Sequence, residues 1–448
     1  MSTKMTIPAR PSAKAGAHVI YPDGVPHPPA PAPERLTMPG RRRFLGAGAT
    51  LAGATLAGAG ALRAEPLPVP KSNLVMGDPI PETDYGMPIS FEDHVRRHRT
   101  DVFVNRQNWS DWSMSPLQHQ NGIITPNGLF FERHHNGIAK IDPEQHRLAI
   151  HGMVRQPLLF SMDDILRYPS VSKFHFMECS GNGLTDWAEP RSTTVQQSHG
   201  LLSCAQWTGV PLSWLLDEAG VTEGAKWVVF EGGDGSGHLR SIPIEKVMDD
   251  ALLLYGQNGE MLRAEQGYPM RAFFPGWEGN TCVKWLRRIY VTDEPLQIRG
   301  ETARYTDPMP GGKWRQFSME MECKSVITSP SGGMQLNGPG LYEIRGFAWS
   351  GLGTITHVDI TLDGGRTWTE ATLEDPVLDK CLTRFRYRWN WDGGPARIAS
   401  RAQDSTGYVQ PTAAQLAEVR EIVGFVQHNN AIFPWAVDEN GGITNAIA

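Results

Sequence analysis

Two stretches of the chain alternate apolar and polar side chains with a period of two. Val358, Ile360 and Leu362 alternate with His357, Asp359 and Thr361, and the turn Asp363-Gly364-Gly365 follows. Phe385, Tyr387, Trp389 and Trp391 then alternate with Arg384, Arg386, Arg388 and Asn390. A helix would scatter such a pattern around its circumference, whereas a strand sorts it onto two faces. Short strands of this kind with turns between them predict an immunoglobulin-like β-sandwich over residues 319–426. The arginine face reads as solvated, or as a contact with an acidic partner or with the rest of the chain.

Residues 101–318 mix short strands and helices. Pro211 to Gly220 has the apolar spacing of a short helix with a glycine stop, and Lys226 to Phe230 is a strand ending in the loop Glu231 to Gly237. The fold class is therefore α+β, an α+β domain followed by the sandwich. Residues 65–100 are Pro-rich and read as a surface arm. Residues 427–448, with Phe433-Pro434-Trp435, read as a tail that packs on a neighbour.

The first 64 residues are set apart from the fold. Residues 1–40 hold nine of the 34 prolines and read as disordered. Arg41-Arg42-Arg43-Phe44-Leu45 then opens an Ala/Gly/Leu run that ends near Ala64, which resembles a twin-arginine export signal. The run is also just long enough for an N-terminal membrane anchor. Export places the protein in the periplasm. Residues 1–64 carry eight basic against two acidic side chains, so the remainder is more acidic than the whole-chain net charge of -6. A nucleic-acid partner is excluded on that ground. The five cysteines, Cys179, Cys204, Cys282, Cys323 and Cys381, form neither a disulfide framework nor a zinc pattern. No Cys-x-x-Cys-His is present, so no haem is expected in this chain.

The stretch Phe176-Met177-Glu178-Cys179-Ser180-Gly181-Asn182-Gly183 carries the chemistry. Apolar residues deliver a cysteine into a Gly/Asn-rich turn, which exposes the thiol and lets a large ligand approach the backbone. A thiolate is a soft donor suited to a metal in a sulfur-rich sphere. Taken alone, the same residue reads as a core cysteine.

Cys179-Ser180-Gly181-Asn182 resembles the Cys-x-Gly-Asn loop of the sulfite oxidase family. Further segments resemble that family in its order: Phe131-Glu132-Arg133-His134-His135, Trp207 to Leu212, Phe230 to Asp234, Tyr255 to Gly259, Gly267 to Arg271, and Val283-Lys284-Trp285-Leu286. In the second domain, Ala348-Trp349-Ser350-Gly351 and Asp363 to Trp368 resemble the family's dimerisation domain. Several ordered motifs are far more specific than any one.

The resemblance implies a molybdopterin domain holding one molybdenum, with Cys179 as the protein's ligand. It places Phe131, Glu132, Arg133, His134, His135, Asp234, Arg271, Cys282, Val283 and Lys284 at the cofactor. Tyr255 is expected at the metal's reactive oxygen and Arg133 at the substrate mouth. Alone, Arg271 and Lys284 read as surface charge, Asp234 as an ordinary turn, and Tyr255 as a half-buried core aromatic.

Departures from the family narrow the reading. Gly183 and Leu184 stand where sulfite-oxidising members have an arginine pair, Thr354 where they have another arginine, and Gln266 where they have a cofactor-contacting histidine. A less cationic mouth suits a bulkier substrate, as in the molybdenum subunits of sulfane dehydrogenases of thiosulfate oxidation. That likeness implies oxygen transfer from a molybdenum–oxo centre to a sulfane sulfur on a carrier protein. Electrons would pass to a c-type cytochrome subunit, and the chain would dimerise through the sandwich within a hetero-oligomer. A free sulfite dehydrogenase, a sulfoxide or nitrate reductase, and a non-catalytic exported binding protein are the other readings.

Overall fold

The computed structural model describes residues 70, 74, 89–99, 110–186, 190–235, 237–420 and 428–447. The leader, its arginine motif and most of the Pro-rich arm lie outside these residues. Contacts divide the chain into Met1–Asp84 and Tyr85–Ala448. Among the described residues, every sheet belongs to the second unit.

The first part of that unit is built on two five-stranded sheets. One runs Glu260–Met261, Leu252–Gln257, Leu202–Pro211 and Val171–Glu178, with Arg271–Phe273 also pairing to Leu252–Gln257, antiparallel throughout. The other runs Leu158–Phe160, Leu148–Gly152, Leu286–Thr292, Trp227–Gly232 and Leu239–Pro243, in which Leu148–Gly152 and Leu286–Thr292 are parallel. Trp227–Gly232 is buried along nearly its whole length instead of alternating, as expected of a strand covered on both faces. The helix Leu212–Ala219 buries Leu212, Leu215, Leu216 and Ala219, the i, i+3, i+4, i+7 stripe, and stops where Gly220 adopts φ 71°. The helices here are short, so the part is mostly sheet.

The second part consists of two antiparallel sheets. One is ordered Lys324–Ser329, Gly340–Trp349, Thr383–Trp391 and Thr372–Glu374. The other is ordered Thr369–Glu370, Ile355–Thr361, Ala396–Asp404, Trp435–Val437 and Ile443–Asn445. The period-two reading holds except at the end of the first stretch, where Thr361 is buried and Leu362 half-buried. Val358, Ile360, Phe385, Trp389 and Trp391 are buried, while Arg386, Arg388 and Asn390 are exposed. Arg384 and Arg386 pair with Glu374, at 3.1 and 2.7 Å, so part of the arginine face is neutralised within its own sheet.

One expectation is corrected. Residues 428–447 are no tail on a neighbour: they add two strands to the second sheet and bury Trp435 completely. The two parts also share a core, since Leu117, Phe176, Val195, Leu202 and Cys204 of the first belong to the apolar cluster of the second. Cys204 and Cys381 meet there, Sγ to Sγ 3.4 Å apart.

At their junction the backbones touch through glycines. Met321 donates its N–H to Gly276 O, and Gly351 donates its own to Met321 O, at 3.0 and 2.7 Å. A Cβ on Gly351 would overlap the carbonyl of Gly276, and one on Gly276, which has φ +77°, would overlap Gly351 O. Neither obstacle is a flexible side chain. Gly351→Ala is therefore expected to cost about 1–3 kcal/mol, the usual penalty of overpacking, read as a lower urea midpoint; an unchanged midpoint would remove the junction from the account.

Candidate functional site

The strand Val171–Glu178 ends where Cys179 donates its N–H to Leu201 O at 3.0 Å. The chain then turns tightly, with Asn182 N–H on Cys179 O at 2.9 Å and Leu184 N–H on Gly181 O. Gly183 completes the turn at φ +86°, a backbone conformation that an arginine there would adopt only under strain.

Beneath this loop lies a buried ion pair. Glu178 is fully buried, and its Oε1 accepts from Lys324 Nζ at 3.1 Å and Asn182 Nδ2 at 2.9 Å. Its Oε2 accepts from Trp349 Nε1 at 2.6 Å. Lys324 also donates to Asn182 O at 3.2 Å. The sandwich thus supplies both the cation and the indole that fix the residue before Cys179.

The loop opens onto a cavity of about 580 Å³. Of the residues expected at the site, Cys179, Phe131, Glu132, Arg133, His134, His135, Asp234, Arg271, Cys282, Val283 and Lys284 all line it. Tyr255 does not. It lies on Leu252–Gln257 in the middle of the first sheet and packs against the first core cluster. The tyrosine that lines the cavity is Tyr305, which follows the π-helical turn Gly300–Arg304. Its hydroxyl is 3.2 Å from His135 Nε2, and its ring covers the guanidinium of Arg240 at 4.8 Å. Arg240 is itself buried and held by Glu301, Nε to Oε1 at 3.0 Å and Nη2 to Oε2 at 3.3 Å. Burial pushes the Tyr305 phenol up to about 12, so it stays protonated at neutral pH. Burial, with Arg133 close by, lowers His135 to about 3, which leaves a neutral imidazole beside that phenol.

The cavity wall is cationic. Arg271 is buried, donating Nη2 to Cys282 O at 2.8 Å and Nη1 to Gln266 O at 3.0 Å, while its Nε has no partner. Lys284 Nζ donates to Arg133 O and Glu265 O, each at 3.0 Å, and sits 3.0 Å from His134 Nδ1. Burial pulls Arg271 down to about 10 and Lys284 well below its usual range. Among the described residues, neither has a carboxylate within ion-pair distance. Buried basic groups without a carboxylate in direct contact are expensive to charge, so the wall favours an anionic ligand. A pterin cofactor ending in a phosphate is such a ligand. Glu132 and Asp234 favour the Lys284 cation only from beyond ion-pair distance; burial opposes ionisation of Glu132, but His134, Arg97 and Ser113 hold its carboxyl at about 2.

Cys179 is half-buried, and its thiol is raised by burial, while the Gly181 N–H and the Arg133 guanidinium favour the thiolate. Among the described residues no group of three or more His, Cys, Asp or Glu side chains could hold a metal ion by itself. A metal at Cys179 therefore needs ligands brought by a cofactor. The thiol of Cys282, by contrast, is buried and accepts the Phe274 N–H, so this residue serves the cavity through its backbone.

The sequence reading missed Tyr305, His238, Asn280, Arg299 and Arg304, all of which line the cavity. The signal for Arg299, Arg304 and Tyr305 is the polar run that they form, which lies outside the recognised motifs; His238 and Asn280 carry no such signal. Arg299 and Arg304 also correct the expectation of a weakly cationic mouth. Thr354 is not part of the lining; it sits on the loop before Ile355–Thr361, its N–H on Ser405 Oγ at 3.2 Å.

Comparison with known proteins bears on this cavity. Residues 135–299 match the family model of the oxidoreductase molybdopterin binding domain, and residues 315–437 that of the Mo-co oxidoreductase dimerisation domain. Mitochondrial sulfite oxidase of Mus musculus is 31% identical over 72% of this chain, which spans 64% of that protein's length. NADH nitrate reductase of Solanum lycopersicum is 33% identical over 67% of this chain and 37% of its own. The crystal structure of the sulfane dehydrogenase SoxCD from Paracoccus pantotrophus superposes with a TM-score of 0.82 and 42% identity, covering 85% of this chain and 98% of that one.

Lys324→Met is expected to strand the Glu178 carboxylate and cost about 3–5 kcal/mol, with molybdenum content falling alongside the melting temperature. Adding Glu178→Gln removes the stranded charge and should restore part of the stability. A single variant as stable as the parent would show that the pair carries no such weight.

Proposed function

The chain belongs to the sulfite oxidase family of molybdopterin-binding oxidoreductases, and from that membership we propose that it oxidises a sulfane sulfur presented by a carrier protein. The observation that carries the choice of substrate is the 42% identity over nearly the whole length of a sulfane dehydrogenase chain, against 31% with sulfite oxidase. In the balance of one turnover, the sulfur gains an oxygen from water, and two protons and two electrons are released to an acceptor.

The bound cofactor supplies two-electron redox chemistry and oxygen-atom transfer at molybdenum. Cys179 would ligate the metal, while Arg271 and Lys284 would hold the anionic pterin. Arg133 faces the thiol and orients an anionic sulfur group. Tyr305 holds a proton at its hydroxyl beside the neutral imidazole of His135, where it can donate to an oxygen on the reacting sulfur. The missing side chain at Gly181, whose Cβ would come 3.9 Å from Cys179 Sγ, leaves room beside the thiol for a tethered arm.

Electrons leave singly to a c-type cytochrome subunit. The second part fits an immunoglobulin-like sandwich through which two copies pair within a hetero-oligomer. The protein acts in the periplasm after twin-arginine export, a reading supported by Arg41-Arg42-Arg43-Phe44-Leu45. Free sulfite oxidation is the second reading, and Arg299 and Arg304 at the cavity favour it.

Cys179→Ser should abolish turnover and leave the melting temperature within a degree or two, because a hard hydroxyl replaces a soft thiolate poorly. Tyr305→Phe should lower kcat by roughly 10²–10⁴ while Tyr255→Phe leaves it unchanged; the reverse pattern would return the role to Tyr255. Steady-state kinetics with a persulfide-bearing peptide and with sulfite decides the substrate. We expect kcat/KM for sulfite to be lower by about a hundredfold, because free sulfite forgoes the contacts a carrier makes outside the cavity; tight, efficient sulfite turnover would promote the second reading.

A further inference from the structure

The segment Arg299 to Gln316 forms one wall of the cavity and continues away from it as a hairpin. Arg299, Ala303, Arg304 and Tyr305 line the cavity, and Thr306–Met309 then pairs with Lys313–Gln316. The segment holds two carboxylates, and both are withdrawn from solvent. Glu301 is fully buried and bound by Arg240 and by Ser241 N–H. Asp307 is fully buried and paired with Arg315 at 2.9 Å. Every solvent-exposed charge on the segment is therefore positive: Arg299, Arg304, Lys313 and Arg315. Among the described residues, Arg299, Arg304 and Lys313 have no ion-pair partner. Beside them Trp314 is 56% exposed.

This arrangement runs against the rest of the molecule. The chain is acidic overall, so a rim that hides its carboxylates and displays its cations creates a local field opposite to that of its surroundings. An exposed tryptophan on a segment that also displays two arginines and a lysine without ion-pair partners is the composition of a recognition surface, not of a solvated edge, where cations usually alternate with acids.

We propose that the rim Arg299–Gln316 is the docking surface for an acidic polypeptide that delivers the substrate into the cavity. This rests on the proposed function, in which the sulfur arrives tethered to a protein. Its content is the location of the contact and the charge of the partner. Arg304, which stands at both the cavity and the rim, would meet the last residues of the arm, and Lys313 and Trp314 the body of the partner. Steering by such a field speeds encounter and falls away with salt.

The probe is a pair of synthetic peptides, one rich in Glu and its Gln counterpart, each ending in a serine that cannot react. Binding to the purified full-length holoprotein is followed by calorimetry, at low and at high ionic strength. The Glu peptide is expected to bind roughly tenfold tighter at low salt, and to lose that advantage at 0.5 M salt (about 4 Å screening length). The advantage should also disappear in Lys313→Glu, whose sulfite turnover with an artificial acceptor stays at the parent's value. Trp314→Ala should weaken both peptides. Equal affinity for the two peptides, or an advantage that survives Lys313→Glu, overturns the proposal. If the Glu peptide binds as expected but a persulfide-bearing version is not turned over, the rim stands and the sulfane reading falls.

Discussion

The buried carboxylate of Glu178 sets the terms for the rest of the structure. A charge at that depth is tolerable only if its partners are fixed in advance. Its partners come from two places: Asn182 from its own loop, and Lys324 and Trp349 from the sandwich. The peptide that follows Glu178 is the one that carries Cys179. The thiol is thus aimed by a network whose cation belongs to the other half of the chain, and the two halves are one unit in energetic terms. The glycine contact between Gly276 and Gly351 and the shared apolar cluster express the same dependence in packing.

Around that fixed thiol the cavity defers its neutralisation. Arg271 and Lys284 are buried with no carboxylate in direct contact among the described residues, and donate to carbonyls, a thioether and an imidazole. Such a wall is stable enough to fold and waits for an anion. Arg240 is the contrasting case. It is equally buried but closed off by Glu301, and so acts as a rigid support under the Tyr305 ring. The same residue type is binding machinery in one place and scaffolding in the other, and the difference lies in whether a carboxylate stands opposite.

Much of this was legible in the sequence for physical reasons. Period-two alternation at Val358 to Leu362 and Phe385 to Trp391 reports a half-buried sheet directly, because burial follows the pleat. The residues from Phe131 to Lys284 were brought to one site by resemblance to a family; alone, Arg271 and Lys284 read as surface charge and Asp234 as a turn, because nothing local marks their burial at a common cavity. What could not be read is what arrives from far along the chain. Lys324 looks like any strand lysine until its partner 146 residues away is known. Tyr255 and Tyr305 are indistinguishable as phenols. Tyr255 sits on a central strand and is spent on packing, whereas Tyr305 is lifted to the cavity by a π-helical turn that no periodicity announces. The final strands were misjudged for the same reason, since a short apolar run does not reveal which sheet it will join.

The segment 428–447 that carries those final strands also reaches back to the loop of Cys179. Asn429 Nδ2 bonds Gly183 O at 3.1 Å, and Asn445 Nδ2 bonds Asp186 Oδ1 at 2.7 Å, across 246 and 259 residues of sequence. A nascent chain cannot complete that support until the last of these residues has left the ribosome. Folding of this loop is therefore ordered in time: the turn after Cys179 gains its last two side-chain supports only once the chain has been made through Asn445.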